Sequence, residues 1–170
     1  VASDPSNPVD GQIWYNTGSN LLKGYAGTTV EAWATGNNMN TGRRDMGSAG
    51  AAAQTAALAF GGVNSINNTE AYNGTNWTEV NNLNTARKYI AGFGTQTSAL
   101  GFGGYHPGTI TAATELWNGT NWTEVNNLNT ARMNSGGSGA NNTAGLAFGG
   151  TPGAKNETEI WNGTNWTEVN

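Results

Sequence analysis

Three pairs of carboxylates come first among the residues that could do chemistry: Glu70 with Glu79, Glu115 with Glu124, and Glu159 with Glu168. Two carboxylates in one cleft, held in different environments, can act as general acid and general base. Such a reaction needs one pair, whereas a pair rewritten along the chain serves something periodic. Arg43, Arg87 and Arg132 recur in step with the glutamates. Glu70, Glu115 and Glu159 are therefore expected to meet these arginines or the amides of nearby turns. Charge-assisted hydrogen bonds of that kind can anchor sheet edges where little apolar area is present.

The remaining candidates are sparse. The single histidine, His106, stands in "GGYHPGTITAATE" and reads as a loop residue open to solvent. The absence of cysteine excludes disulfides, thiolate metal sites and a cysteine nucleophile. Asp4, Asp10 and Asp45 are isolated, with no calcium-loop spacing around them, so no metal site is expected. "GSAGAAA" and "GGSGANN" lack the lysine of a phosphate loop and lead into no helix, and they read as loops. The phrase "NGTNWT" places glycosylation-type acceptors at Asn73, Asn76, Asn118, Asn121, Asn162 and Asn165, but Asn and Gly are also what a tight turn requires. No catalytic constellation can be assembled from these parts. The chain is expected to be no enzyme and to need no cofactor.

Composition narrows the partners. Seven basic residues against eleven acidic ones give a formal net charge of −4, and Arg43–Arg44 is the densest basic spot. Nucleic acid or an anionic membrane would call for clustered cations, so neither is expected as a partner. The longest apolar run, "AALAF", is far short of the roughly 20 residues that span a bilayer. The chain opens on Val1 without a signal-peptide pattern, which reads as a processed chain or an excised piece.

The elements that would position these residues are repeated. "WNGTNWTEVNNLNTAR" at 117–132 stands also at 72–87, with Tyr72 for Trp117, and begins again at Trp161. Trp33, Trp77, Trp122 and Trp166 are 44, 45 and 44 residues apart, and the arginines and glutamates keep the same steps. A period shared by three residue types is architecture. Each unit carries four short segments of strand character. One follows the Arg, as in "KYIAGFG"; the second is of the "TAALAFGG" type; the third is "TEAY", "TELW" or "TEIW"; the fourth is "NWTEV". "NGTN" marks a turn between the last two. No segment sustains a 3.6-residue apolar period, so the chain reads as all-β. The second strand, small and nearly continuous, suits a position covered on both faces, and the Trp of "NWTEV" suits the wedge between adjacent sheets.

An Arg, a strand ending in Phe-Gly-Gly, then an aromatic followed about five residues later by Trp resembles the kelch repeat of kelch and galactose-oxidase-type propellers. The resemblance implies three four-stranded blades of 44–45 residues, about 37–82, 83–127 and 128–170, as part of a β-propeller. It does not carry oxidase chemistry. The family's copper–radical site needs a Cys-linked Tyr and two His, and this chain has no Cys and one His. Residues 1–36 form a separate module, with strands "QIWYN" and "LLKGY" around the turn "TGSN" and a last strand ending at Trp33. It is similar to short hairpin modules of bacteriophage tail-fibre and other virion proteins.

Together the two resemblances imply a non-enzymatic virion protein: a fibre, appendage or decoration component whose repeats form a platform for attachment to the host surface. Bacterial surface polysaccharide is the ligand implied, since Asn, Thr and aromatic rings can hydrogen-bond and stack on sugars. The alternative is a structural spacer or a capsid or neck cementing protein acting through protein contacts. The variable loops "VNSINN", "YHPGTITAA" and "TPGAKNE" are where recognition would reside, or where drift is tolerated. The ligand-binding candidates are Tyr105, His106, Pro107, Thr151, Pro152 and Lys155. Three blades do not close a ring, for which roughly four to eight are usual. A longer array, a reduced fourth blade from 11–36, or assembly of several chains would each complete it. The chain is expected to associate with copies of itself or with other virion proteins, because open ends expose strand edges.

Overall fold

The structure is a computed structural model that describes residues 3–7, 9, 11–25 and 36–169. The chain divides into two compact units, Val1–Thr35 and Gly36–Asn170. Trp33 and the strand expected to end there lie outside the described residues.

In the first unit β1 (Ile13–Asn16) pairs antiparallel with β2 (Leu21–Gly24), and Asn16 faces Leu21 across the turn. The turn is closed by the Ser19 amide donating to Asn16 Oδ1 at 3.0 Å, and Asn20 takes a positive φ of 55°. Ile13 and Leu22 are about 70% exposed, so apolar burial contributes little here. Asp4 does more. Its carboxylate accepts from Trp14 Nε1 at 3.1 Å, Asn16 Nδ2 at 2.6 Å and Lys23 Nζ at 2.8 Å, tying the leading segment to both strands. The Lys23 hydrogen bond first, then those from Asn16 and Trp14, hold the Asp4 carboxyl at about 2 instead of the ordinary 3.8. A depressed carboxyl stabilises the folded state above the ordinary value, and that stabilisation is lost as pH falls from there through about 2. Side-chain NMR titration of Asp4 is expected to give a midpoint near 2; a midpoint at the ordinary value would show that the strap is not formed.

The second unit holds three four-stranded antiparallel sheets among its described residues and no helix. The first is β3 (Gly47–Ala53), β4 (Ala56–Phe60), β5 (Thr69–Tyr72) and β6 (Trp77–Val80). The second begins with β7 (Ala91–Thr95) and β8 (Ser98–Phe102). A two-residue hairpin, β9 (Tyr105–His106) and β10 (Thr109–Ile110), intervenes where the sequence suggested a plain loop. The sheet then continues with β11 (Thr114–Trp117) and β12 (Trp122–Val125). The third is β13 (Gly136–Asn141), β14 (Ala144–Phe148), β15 (Thr158–Trp161) and β16 (Trp166–Val169). Strands within each sheet follow chain order, and none of the sheets is closed on itself.

Two expectations are corrected. "GSAGAAA" is strand β3, and "GGSGANN" is strand β13 in all but its last residue; neither is a loop. Both lack an apolar face of their own, and their neighbours supply what covers them. The Phe60 ring lies over Gly47, and a Cβ there would come within 2.3 Å of it; the Phe102 ring does the same to Gly137, at 2.9 Å. Ladder pairing to β4 and β14 satisfies their backbone groups.

β7 lies between β3 and β13, so the first strands of the three sheets gather side by side. The sheets pack face to face in sequence. Leu58 and Phe60 of the first meet Ala99, Trp117 and Trp122 of the second, while Leu100 and Phe102 of the second meet Ala147, Trp161 and Trp166 of the third. Each second strand ends in a Gly-Gly pair with both residues at positive φ. The bend brings the chain so close to the next unit that a Cβ on Gly103 would stand 2.4 Å from the Arg132 carbonyl oxygen.

Candidate ligand-binding site

The recurrent glutamates occupy the third strands and are saturated. Glu115 on β11 accepts from the backbone amides of Asn84 (2.7 Å) and Thr85 (3.3 Å) and from Arg87 Nη2 at 2.8 Å. Glu159 on β15 repeats this with Asn129, Thr130 and Arg132, the last at 2.6 Å. Glu70 on β5 does so with Asn40, Thr41 and Arg43. All six charged side chains are fully buried. Arg87 also donates to the Gly103 and Ala113 carbonyls, and Arg43 and Arg132 each donate to three carbonyls. Burial pulls the Arg87 guanidinium below its ordinary value, and the Glu115 charge opposes that pull. The partner carboxylates Glu79, Glu124 and Glu168 stand directly across the ladder and are exposed. With one member of each pair fully occupied by its own chain, these carboxylates clamp each connecting segment to the sheet that follows it.

The tryptophans of the fourth strands differ among themselves. Trp122 and Trp166 are 5% exposed and each reaches into the preceding sheet. Trp77, on the first sheet, is half-buried and stacks at 5.1 Å on Tyr72 of its own sheet.

Chemical variety is concentrated elsewhere, where the loops after β4, β8 and β14 meet the segments leading into β3, β7 and β13. Lys88 and Tyr105 exchange backbone hydrogen bonds of 3.1 and 2.7 Å, and Met133 and Thr151 do likewise at 3.0 and 2.9 Å. The leading segments are linked in turn: the Tyr89 amide donates to the Asp45 carbonyl at 2.7 Å and the Asn134 amide to the Tyr89 carbonyl at 3.0 Å. Asp45, Tyr89 and Asn134 all take positive φ, between 54° and 60°, which turns each segment into its strand.

On this surface Lys88 Nζ lies 5.0 Å from the Tyr89 ring centroid and 5.3 Å from that of Tyr105. His106 is exposed, with Nδ1 3.0 Å from the Ala86 carbonyl oxygen. Pro107 is exposed at the tip of the β9–β10 hairpin, which the Gly108 amide steadies by donating to the Tyr105 hydroxyl at 3.2 Å. On the next unit Thr151–Pro152 is a cis peptide bond, and Lys155 pairs with Glu157 at 3.8 Å. The Glu157 carboxyl is held below its ordinary value first by a hydrogen bond from its own amide, with the charges of Lys155 and Arg132 adding to it. The six candidates thus fall on two successive loops at the same end, and no hydrogen bond joins the two groups among the described residues.

Sequence reasoning missed Arg44, Asp45, Lys88 and Tyr89, which lie on the same surface. The signal was present: the two residues after each repeated Arg read Arg-Asp, Lys-Tyr and Met-Asn inside an otherwise constant phrase. Below this surface two hollows follow the gathered first strands, one of about 290 Å³ bordered by Ser48, Ala49, Gly92, Phe93 and Gly137, the other of about 200 Å³ bordered by Met46, Ile90 and Ser135. Neither is lined by a titratable side chain, so they supply backbone and small-residue contacts without acid–base chemistry. No protein-family model matches the chain, and no curated protein matches it.

Proposed function

We propose that the protein is a non-enzymatic component of a bacteriophage virion, a fibre, appendage or decoration protein whose kelch-like blades present a loop surface to polysaccharide on the bacterial host. One observation carries this reading. The clamps and tryptophan contacts repeat unit by unit, whereas side-chain variety collects at one end, on the Lys88, Tyr89, Tyr105 and His106 surface. A constant scaffold with one variable end is how loop-based recognition is built. Tyrosine rings offer flat faces for sugar stacking, while His106 and Lys88 offer polar groups at their edge.

The test replaces residues 105–110 by Gly and Ser, leaving Thr111 and Ala113, whose backbone groups serve the scaffold. Binding of the labelled protein to host cells and to their extracted surface polysaccharide is expected to fall by roughly tenfold or more, the equivalent of about 1.4 kcal/mol, with the circular dichroism spectrum unchanged. Unaltered binding by the replaced protein would sink the attachment reading. A spacer or cementing role is the second reading, favoured by the apolar face that the third sheet leaves open. It predicts that the same replacement leaves particle assembly and host binding untouched.

A further inference from the structure

The two junctions between sheets are built on one plan. Phe60 of the first sheet meets Trp122 of the second edge-on, at 4.8 Å and 63°. Phe102 of the second meets Trp166 of the third in the same way, at 5.1 Å and 62°. Each indole donates a hydrogen bond to a threonine of the preceding sheet: Trp122 Nε1 to Thr69 Oγ1 and Trp166 Nε1 to Thr114 Oγ1, both at 3.1 Å. On the receiving faces Leu58, Phe60, Leu100 and Phe102 are completely buried.

The third sheet repeats that receiving face, and among the described residues it is left partly open. Leu146 and Phe148, the counterparts of Leu58 and Phe60, are 37% and 44% exposed, and Ile160 beside them is 41% exposed. Thr158, the counterpart of Thr69 and Thr114, is half-buried, while those two are within 1% of complete burial. The first sheet shows the converse. Trp77 occupies the position of Trp122 and Trp166, and its indole N–H has no acceptor among the described residues. Among the described residues, one end of the array therefore carries a socket without its tryptophan, and the other a tryptophan without its socket.

We propose that these two surfaces join between copies of the chain, with Trp77 of one copy seated against Phe148 and hydrogen-bonded to Thr158 of the next. The occupant is identified by the internal junctions, which show that the two faces are complementary halves. Smaller positions agree. Ala49 of the first sheet and Ala99 of the second share the core of the first junction; the corresponding residues at the open ends are Ser138 and Ala57, again small against small. Ser48 replaces the Gly92 and Gly137 that receive the phenyl rings inside the chain, so the Phe148 ring rests farther from its neighbour's strands than Phe60 does. The contact is head-to-tail, and such contacts generate a ring where the rotation closes and a filament where it does not. Two copies bring six sheets together, within the range of roughly four to eight that closed arrays use. This inference goes beyond the attachment reading and stands whether or not the loops bind a glycan.

The test is the mass of the full chain by light scattering over a concentration series, for the unaltered protein, Phe148→Glu and Trp77→Ala. The unaltered protein is expected to show at least twice the monomer mass, and each variant the monomer mass with an unchanged circular dichroism spectrum. Should Phe148→Glu fail to fold, Ile160→Lys addresses the same exposed face. A monomer at every concentration overturns the proposal. So does dissociation by a substitution at one face while the other is without effect, since that result would mean that one face pairs with itself.

Discussion

Glu115→Ala is expected to lower the free energy of unfolding by about 3–5 kcal/mol, the range for breaking a buried ion pair from one side. Removal of the carboxylate leaves the Arg87 guanidinium charged in a site without solvent, and it orphans the amides of Asn84 and Thr85. Glu115→Gln should cost nearly as much. It keeps the shape, but the charge that offsets Arg87 is gone. Arg87→Met combined with Glu115→Leu removes both charges and should recover only part of the loss, because the two amides remain without an acceptor. Urea unfolding of the three variants provides the comparison. A cost below about 1 kcal/mol for Glu115→Ala, the level of an exposed pair, would show that the clamp opens readily to water.

Trp122→Ala and Trp77→Ala alter the same letter of the repeat and should differ several-fold in cost. Trp122 is 5% exposed, packs on Phe60 and bonds Thr69, so its loss opens a large cavity and is expected to cost about 3–5 kcal/mol. Trp77 is half-buried, and its truncation in dilute solution is expected to cost about 1–2 kcal/mol, in line with the smaller apolar area it covers. Equal losses at the two sites, again by urea unfolding, would show that Trp77 already has a full set of neighbours. Trp122→Phe separates the two parts of the larger effect: the packing is largely kept and the hydrogen bond to Thr69 is lost, at a cost of about 1 kcal/mol for the bond itself.

Much of the architecture is written locally. The all-β class follows from alternating short apolar segments punctuated by Asn and Gly, because turns and strand propensity are decided within a few residues. "NGTN" is such a case: the Asn118 side chain accepts from the Thr120 and Asn121 amides at 2.9 Å, wholly inside the phrase. The spacing of Arg and Glu was equally visible. What each glutamate accepts was not, since the Arg87–Glu115 clamp spans 28 residues and needs the connecting segment folded back on the sheet.

The glycine-rich first strands mark where local reading failed. Residues 47–53 carry neither β-branched nor aromatic side chains, so nothing in the segment itself announces a strand. Phenyl rings from partner strands and neighbouring sheets cover such segments, and only the packed array brings those rings to them.

By itself, the sequence determined the strand-and-turn rhythm, its period and the residue types at each position of the repeat. Tertiary structure decided which copies of a residue act alike. Trp77 and Trp122 are identical in local sequence, as are the Leu-Ala-Phe triplets of β4 and β14, yet Trp122, Leu58 and Phe60 are buried while Trp77 is half-buried and Leu146 and Phe148 are exposed. Burial depends on what stands opposite, and for the outer faces of a linear array of repeats that is decided by the neighbouring body.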